Sequence, residues 1–283
     1  MAQQADELEV AKLADRLFVV SGAGANVTVL VGDAGVLLVD SGSPEYAAAL
    51  RSRIAVLSGG LPVDVIFNTN WRYEHTGGNA QLSHPGTRVM AHENTRLWMT
   101  IPFTVEWENR DYPERPESAR PNTTFYTSGE LDFGGYSVRY EHYPMAHTDG
   151  DICVYLPEQN VIVASDLMTV GSYPLVDYVT GGWIGGMERA LSGLIELTDS
   201  DTRVVPAVGP VQSLTDLQNQ LALCTSVREA VREAYRNGRG LEEFAAAEPT
   251  AQYDSQRGDP ELFLYLVYKG TWGHARELGA GII

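Results

Sequence analysis

The first half of the chain alternates short apolar runs with glycine-rich breaks. Arg16–Val20, Asn26–Val31 and Gly35–Asp40 are β-rich segments separated by glycines, which predicts a meander of strands. Ser43-Pro44-Glu45 then carries helix-start chemistry: a capping hydroxyl, a proline suited to the first turn, and a carboxylate that complements the helix dipole. Ala47, Leu50, Ile54 and Leu57 follow at helical spacing, and Gly59-Gly60 ends the run. A strand is expected over Val63–Thr69, another over Thr87–Ala91, and a helix near Glu93–Met99. Residues 100–123, rich in Pro, Arg, Glu and Asn, read as a long loop of the kind used for lids and binding surfaces.

The second half repeats the order. Strands are expected near Thr124–Ser128, Tyr136–His142, Asp151–Leu156 and Val161–Ser165, then a helix near Met187–Thr198 and a strand over Arg203–Val208. From about residue 213 to residue 283 the pattern is helical. Two β-then-α halves predict a four-layer αββα sandwich, with two central sheets and helices outside, as a single domain over 1–283 with a helical C-terminal extension.

Composition narrows the function classes. The chain has 283 residues, and a net charge of −17 lacks the basic footprint needed for nucleic acid or an anionic membrane surface. No apolar run approaches a membrane span, and the polar, acidic start lacks the basic and apolar regions of a signal peptide. Cys153 and Cys224 sit in apolar patterns and read as buried thiols, so a cytoplasmic location is expected. The expected partner is a small-molecule substrate, and the helical tail offers a surface for a second subunit in a homo-oligomer.

The chemistry concentrates in loops that follow strand ends. One is Asn68-Thr69-Asn70-Trp71-Arg72-Tyr73-Glu74-His75-Thr76-Gly77-Gly78-Asn79, a second is His147-Thr148-Asp149-Gly150-Asp151, and a third is Ser165-Asp166. A fourth, Pro206-Ala207-Val208-Gly209, has the same shape without a polar side chain at its centre. With the Leu-Leu-Val-Asp-Ser-Gly stretch at 37–42, these segments resemble the metallo-β-lactamase superfamily in order and spacing, particularly its stand-alone, hydrolase-like bacterial members. The resemblance implies the αββα fold and a site at these strand ends. It also shows where this chain departs from the family's H-x-H-x-D-H motif. The two leading histidines are Asn70 and Arg72, the aspartate is Glu74, and only His75 is kept. The later histidine and bridging aspartate persist as His147 and Asp166, while the last histidine is Val208.

Such a set disfavours the family's dinuclear metal site. Arg72 is a permanent cation, and it is expected to face Asp166 in place of a metal. The reading is therefore of an enzyme with no resident metal, using Arg72, Glu74, His147 and Asp166 for acid/base chemistry of the lyase, isomerase, cyclase or dehydratase type. His147 would be the better base, since a carboxylate beside an arginine has a depressed pKa. One alternative is a hydrolase of an ester, lactone, thioester or amide, with a single zinc, iron or manganese ion held by Glu74, His75 and Asp166. Another is a catalytically inactive binder. Asn70, Trp71, Tyr73, Tyr173 and Trp183 are expected to line the substrate pocket, and His84, His92 and His274 to be structural. His142, on a strand near His147, is a weaker candidate for the cleft. The Gly181-Gly182 and Gly185-Gly186 pairs read as turns rather than a phosphate loop.

Overall fold

The computed structural model describes residues 8–274. The strands are β1 (Glu9–Ala14), β2 (Leu17–Ala23), β3 (Ala25–Val31), β4 (Val36–Val39), β5 (Val63–Phe67), β6 (Arg88–His92), β7 (Phe103–Val105), β8 (Arg110–Tyr112), β9 (Thr123–Phe125), β10 (Gly129–Phe133), β11 (Tyr136–His142), β12 (Ile152–Leu156), β13 (Val161–Ser165) and β14 (Arg203–Pro206). The helices are α1 (Ala47–Ser58), α2 (Tyr73–Thr76), α3 (Asn79–Leu82), α4 (Glu93–Thr100), α5 (Ile184–Glu196), α6 (Leu214–Arg236), α7 (Leu241–Ala246), α8 (Asp254–Arg257) and α9 (Glu261–Trp272). The termini named in the sequence reading, residues 1–7 and 275–283, lie outside the described residues. No helix among the described residues is long and apolar enough to cross a membrane.

One sheet runs β1-β2-β3-β4-β5-β6-β9 and the other β10-β11-β12-β13-β14, with β7 and β8 pairing apart as a hairpin. Side-chain alternation explains the layers, because successive residues of a strand face opposite sides. In β4, Leu37 and Val39 face the second sheet while Leu38 faces α1; in β5, Val65 and Phe67 point inward while Ile66 points outward. The inner faces meet through Leu37, Val39, Val65 and Phe67 against Val154, Val161, Val163 and Val205. The outer face of the second sheet is covered by α5, α6 and α9 around Ile162, Val204, Leu191, Leu223 and Phe263. The result is the expected helix–sheet–sheet–helix sandwich.

The differences from the expected elements have physical causes. β1 is an edge strand with four of its six residues exposed, so it has no apolar face for the pattern to show. β10 is the edge of the second sheet and begins at a glycine. The segment read as a loop over 100–123 contains the β7–β8 hairpin, whose Val105 and Tyr112 join Trp71 and Met99 in an aromatic cluster. Gly181 does turn, at φ +86°, but Gly185 and Gly186 lie in the first turn of α5. Helix α5 uses them for close approach: a Cβ on Gly186 would lie 1.6 Å from Met145 O.

Parallel β4, β5 and β6 end on the same side of their sheet, and β13 and β14 run parallel in the other. Their ends place residues 40, 68–75, 165–166 and 207–208 along one rim. Two non-glycine residues there adopt the left-handed region, Asp40 at φ 66° and Ser165 at φ 50°. Such conformations cost about 1–3 kcal/mol and persist where surrounding bonds over-determine them. Both residues bond into the network described next.

Candidate functional site

The loop after β5 is closed at its base by two amides. Asn68 Nδ2 donates to His75 O at 2.9 Å and to Asn79 Oδ1 at 3.0 Å, and Asn79 Nδ2 returns a bond to Asn68 Oδ1 at 2.8 Å. Gly78 is required here, since a Cβ would lie 2.2 Å from Ser41 O. Within this frame α2 turns His75 inward, with 2 % of its surface exposed.

His75 bridges two carboxylates. Its Nδ1 lies 2.8 Å from Asp40 Oδ2 and its Nε2 2.8 Å from Asp166 Oδ2. Thr69 Oγ1 donates to Asp40 at 2.8 Å and touches Ser165 Oγ at 2.8 Å, which fixes both strained residues. On the other side of Asp166, His147 Nδ1 lies 3.6 Å from Oδ2 and 3.4 Å from Asp151 Oδ1. Asp151 is held in turn by the backbone N–H and hydroxyl of Thr148 at 2.6 and 3.0 Å. The site is therefore a line of alternating carboxylates and imidazoles: Asp40, His75, Asp166, His147, Asp151. His147 is completely buried, its Nδ1 faces both Asp166 and Asp151, and neither ring nitrogen has a hydrogen-bond partner among the described residues.

Electrostatics follow from this order. Burial opposes charge on His75, but Asp40 and Asp166 outweigh it and raise its pKa well above the usual value. Burial likewise opposes charge on His147, and Asp166 and Asp151 outweigh that burial and Arg72's repulsion, so its pKa also rises. For Asp166, burial favours the neutral acid, yet the two imidazoles and bonds from His75 and Asn70 hold it well below the carboxylate range. Asn70 Nδ2 supplies the last of these at 2.7 Å, and its Oδ1 accepts the Arg72 backbone N–H at 3.0 Å.

Arg72 departs from expectation. Its guanidinium was expected to face Asp166, but Nη1 pairs with Glu108 Oε1 at 2.5 Å and Nη2 with Asp177 Oδ2 at 3.4 Å. It lies 5.1 Å from the Trp71 ring centre and 5.2 Å from that of Trp107, an aromatic sandwich that suits a weakly hydrated cation. Burial opposes its charge, and Asp177 and Glu108 more than restore it. Asn70 already occupies the Asp166 oxygen that Arg72 was expected to reach.

Glu74 is half-buried, and its charge acts on Arg115. Arg115 lies 3.2 Å over the Tyr73 ring and donates to Thr76 Oγ1 at 3.3 Å. Burial lowers its pKa to about 10, against the pull of Tyr73 and Glu74.

The aromatic residues expected in the pocket divide. Tyr173 lines a cavity of about 260 Å³ with Asp166, Met168, Thr169, Leu175 and Val208, and its hydroxyl donates to Asp254 at 2.5 Å. Asp166 reaches this cavity with 24 % of its side chain exposed. Trp71 and Trp183, each 1 % exposed, are core residues instead. Trp71 packs with Phe103 and Tyr112, and Trp183 stacks on His274 at 4.1 Å. Tyr73 stacks on Tyr112 at 5.7 Å. His142 stacks on His92 at 3.6 Å and bonds Asp149 O at 2.9 Å. Burial and His142 push the His92 pKa down to about 4.

Sequence reasoning missed Asp40, Asp151, Glu108 and Asp177 as parts of the site. Asp40 carried a readable signal, a carboxylate ending an apolar strand just before Ser-Gly. Glu108 lay in the segment read as a long loop and Asp177 in a segment given no element, with nothing local to mark them.

This architecture defines the class. The sequence model of the metallo-β-lactamase superfamily matches residues 20–211, and the chain belongs to that superfamily. Among its relatives, 2,4-dinitroanisole O-demethylase subunit alpha from Nocardioides sp. (strain JS1661) is 25 % identical over 186 residues, covering 62 % of this chain and 52 % of the relative. The chain thus spans about half the length of that protein. A metallo-beta-lactamase from Pontibacter korlensis superposes with a TM-score of 0.64 at 21 % identity, covering 77 % of this chain and 99 % of that one. The stereoselective inverting sec-alkylsulfatase Pisa1 from Pseudomonas sp. superposes with a TM-score of 0.70 at 15 % identity, covering 93 % of this chain and 50 % of that one. These structural likenesses show the fold.

The superfamily implies metal, so the donor set must be tested against it. At the first position, Asn70 turns its amide nitrogen toward Asp166 and commits its oxygen to the Arg72 N–H, and Arg72 offers only N–H donors, so His147 is the one side chain there with a nitrogen to give. At the second, Glu74 does not group with His75 and Asp166 to hold a metal ion, and Val208 has no donor and is 62 % exposed. His75 and Asp166 remain, hydrogen-bonded directly to each other. Among the described residues no three His, Cys, Asp or Glu side chains are grouped to hold a metal ion. The residues do not fit the family's metal centre.

Proposed function

We propose that this chain is a metallo-β-lactamase-fold enzyme that acts on a small organic molecule by metal-independent acid/base chemistry. The observation that carries this reading is Asp166: it lines the cavity beside Val208 and Tyr173, and it is flanked by two imidazoles, each backed by another carboxylate. With both histidines holding protons, the line stores two protons behind a carboxylate that touches the bound molecule. Asp166 is a weak base in this setting, so the favoured step is proton delivery. A proton moves from the imidazolium of His75 or His147 to Asp166 as Asp166 passes one to a leaving oxygen or a carbanionic carbon, which leaves that histidine neutral. Arg72 acts on His147 electrostatically, with its own charge offset by Asp177 and Glu108. Lyase, dehydratase, isomerase and cyclase reactions share this requirement. Glu74 has no part in the proposal.

The test is turnover of a panel of small hydroxy and keto compounds by chelator-treated protein. An aryl methyl ether belongs in the panel, because the Nocardioides relative is named for one. Activity should survive chelation, and His147→Gln should lower it by about 10²–10⁴-fold. Activity that disappears with chelator and returns with zinc would establish the hydrolytic, metal-bound alternative instead. Ligand binding without product would make the chain a binder.

A further inference from the structure

Arg72 has two anionic partners of different character. Asp177 is fully buried and saturated: it accepts from Arg72 Nη2, from Trp107 Nε1 at 3.0 Å, from Thr180 Oγ1 at 2.8 Å and from the Val179 N–H at 3.2 Å. It neutralises Arg72 by itself. Glu108 is a surplus anion on the solvent side, with 18 % of its side chain exposed. It accepts from Arg72 Nη1 at 2.5 Å and from the Tyr112 hydroxyl at 2.6 Å. Glu108 rides on the Glu106–Glu108 turn at the tip of the β7–β8 hairpin, which pairs with no other strand among the described residues. Beneath it Arg72 Nε is buried without a partner.

We infer that Glu108 occupies a carboxylate-binding site, and that a small-molecule carboxylate displaces it to bind Arg72 and Tyr112. The donors for such a group are already in place. Two donors converge on one carboxylate, a third donor is unused, and the aromatic faces of Trp71 and Trp107 flank the guanidinium. Exchange of one carboxylate for another leaves the local charge unchanged, so the buried Arg72–Asp177 pair is never exposed as a bare cation or anion. Arg72 is tied to the carboxylate–imidazole line through Asn70, which bonds Asp166 and accepts the Arg72 N–H. As a statement about substrate class this rests on the acid/base reading above; as a statement about binding it does not.

The experiment is calorimetric titration of the whole chain with benzoate, and with benzamide as the uncharged control. Glu108→Gln and Glu108→Ala remove the internal competitor, and each should bind benzoate about ten-fold or more tighter than the wild type. Benzamide should not bind, and Arg72→Gln, if folded, should abolish benzoate binding. Equal benzoate affinity in wild type and both Glu108 variants would overturn the inference, as would no binding by either variant at millimolar ligand. Should Arg72→Gln not fold, the Glu108 comparison decides alone. Benzoate binding that persists in His147→Gln while turnover is lost separates this site from the catalytic reading.

Discussion

Asp40 and His75 face each other across 2.8 Å with both side chains closed to solvent, at 1 % and 3 % exposure. A buried imidazolium is stable only while its carboxylates are present, and removing one partner of a buried pair costs about 3–5 kcal/mol. Asp40→Asn should therefore lower stability by that order, measured by urea denaturation at neutral pH. An unchanged midpoint would mean that His75 is neutral in the folded chain.

The same pair sets a pH window. His75 is raised above its unfolded value, so its contribution is complete below about pH 6.5 and is lost as pH rises through the higher folded pKa. Asp166 is lowered, so its contribution is present above about pH 4 and is lost as pH falls. These describe one ion pair from two sides and count once. Melting temperature should be flat between those limits and decline on the alkaline side. His75→Gln should make the alkaline decline shallower, leaving the part that His147, also raised, contributes. A variant that keeps the wild-type slope would locate the titrating group elsewhere.

Much of this was legible in the sequence, and the reason is local. The strand ends at 40, 68, 165 and 206 are marked by apolar runs that stop at a polar or turn residue, so the rim and its His75, His147 and Asp166 could be placed. What could not be read is pairing between segments far apart in the chain. Arg72 meets Glu108 and Asp177, 36 and 105 positions away. Asn70 takes the place at Asp166 that the guanidinium was expected to fill. Trp71 and Trp183 look alike in sequence to pocket residues, but the hairpin and α9 cover them, and neither cover has a local signature.

Metal affinity gives a direct prediction. A ligand present at 100 times its dissociation constant stabilises by about 2.7 kcal/mol, and for a chain of this size roughly 1 kcal/mol moves the midpoint by about 2 °C. Specific zinc binding in the micromolar range would therefore raise the melting temperature by roughly 5 °C at a hundred-fold excess. Chelated protein titrated with zinc, iron(II) or manganese(II) should show no such rise. A rise of that size in wild type, absent in His75→Gln, would restore the mono-metal reading.

Glycine at the start of α5 supports His147 from behind. A Cβ on Gly186 would lie 1.6 Å from Met145 O, and one on Gly182 would lie 2.1 Å from His147 O. These neighbours are backbone and cannot swing aside. Gly186→Ala should cost at least the 1–3 kcal/mol typical of about one inserted methyl in a packed region, and should displace the 145–147 segment. Thermal denaturation measures the first effect and the His147 imidazole nitrogen signals measure the second. Wild-type stability with unshifted signals would show that α5 can back away.

The cavity wall beside Asp166 hangs on the C-terminal helices. Gln220 of α6, fully buried, donates to Leu167 O and accepts the Thr169 N–H, both at 2.9 Å. Arg257 donates to Thr169 O at 3.2 Å and to Ser172 O at 2.9 Å. Gln220→Leu keeps the volume but strands a carbonyl and an amide, each at about 1–3 kcal/mol. Because the lost bonds hold one short segment, the loss should be local as well as global. Hydrogen exchange over residues 167–173 should quicken more than over β13, which precedes it. Arg257→Met should add a smaller effect in the same segment, since its partners lie nearer the surface and water can replace it. If Gln220→Leu loosens β13 and the 167–173 wall equally, the glutamine is a general core residue and the helical extension has no special hold on the cavity.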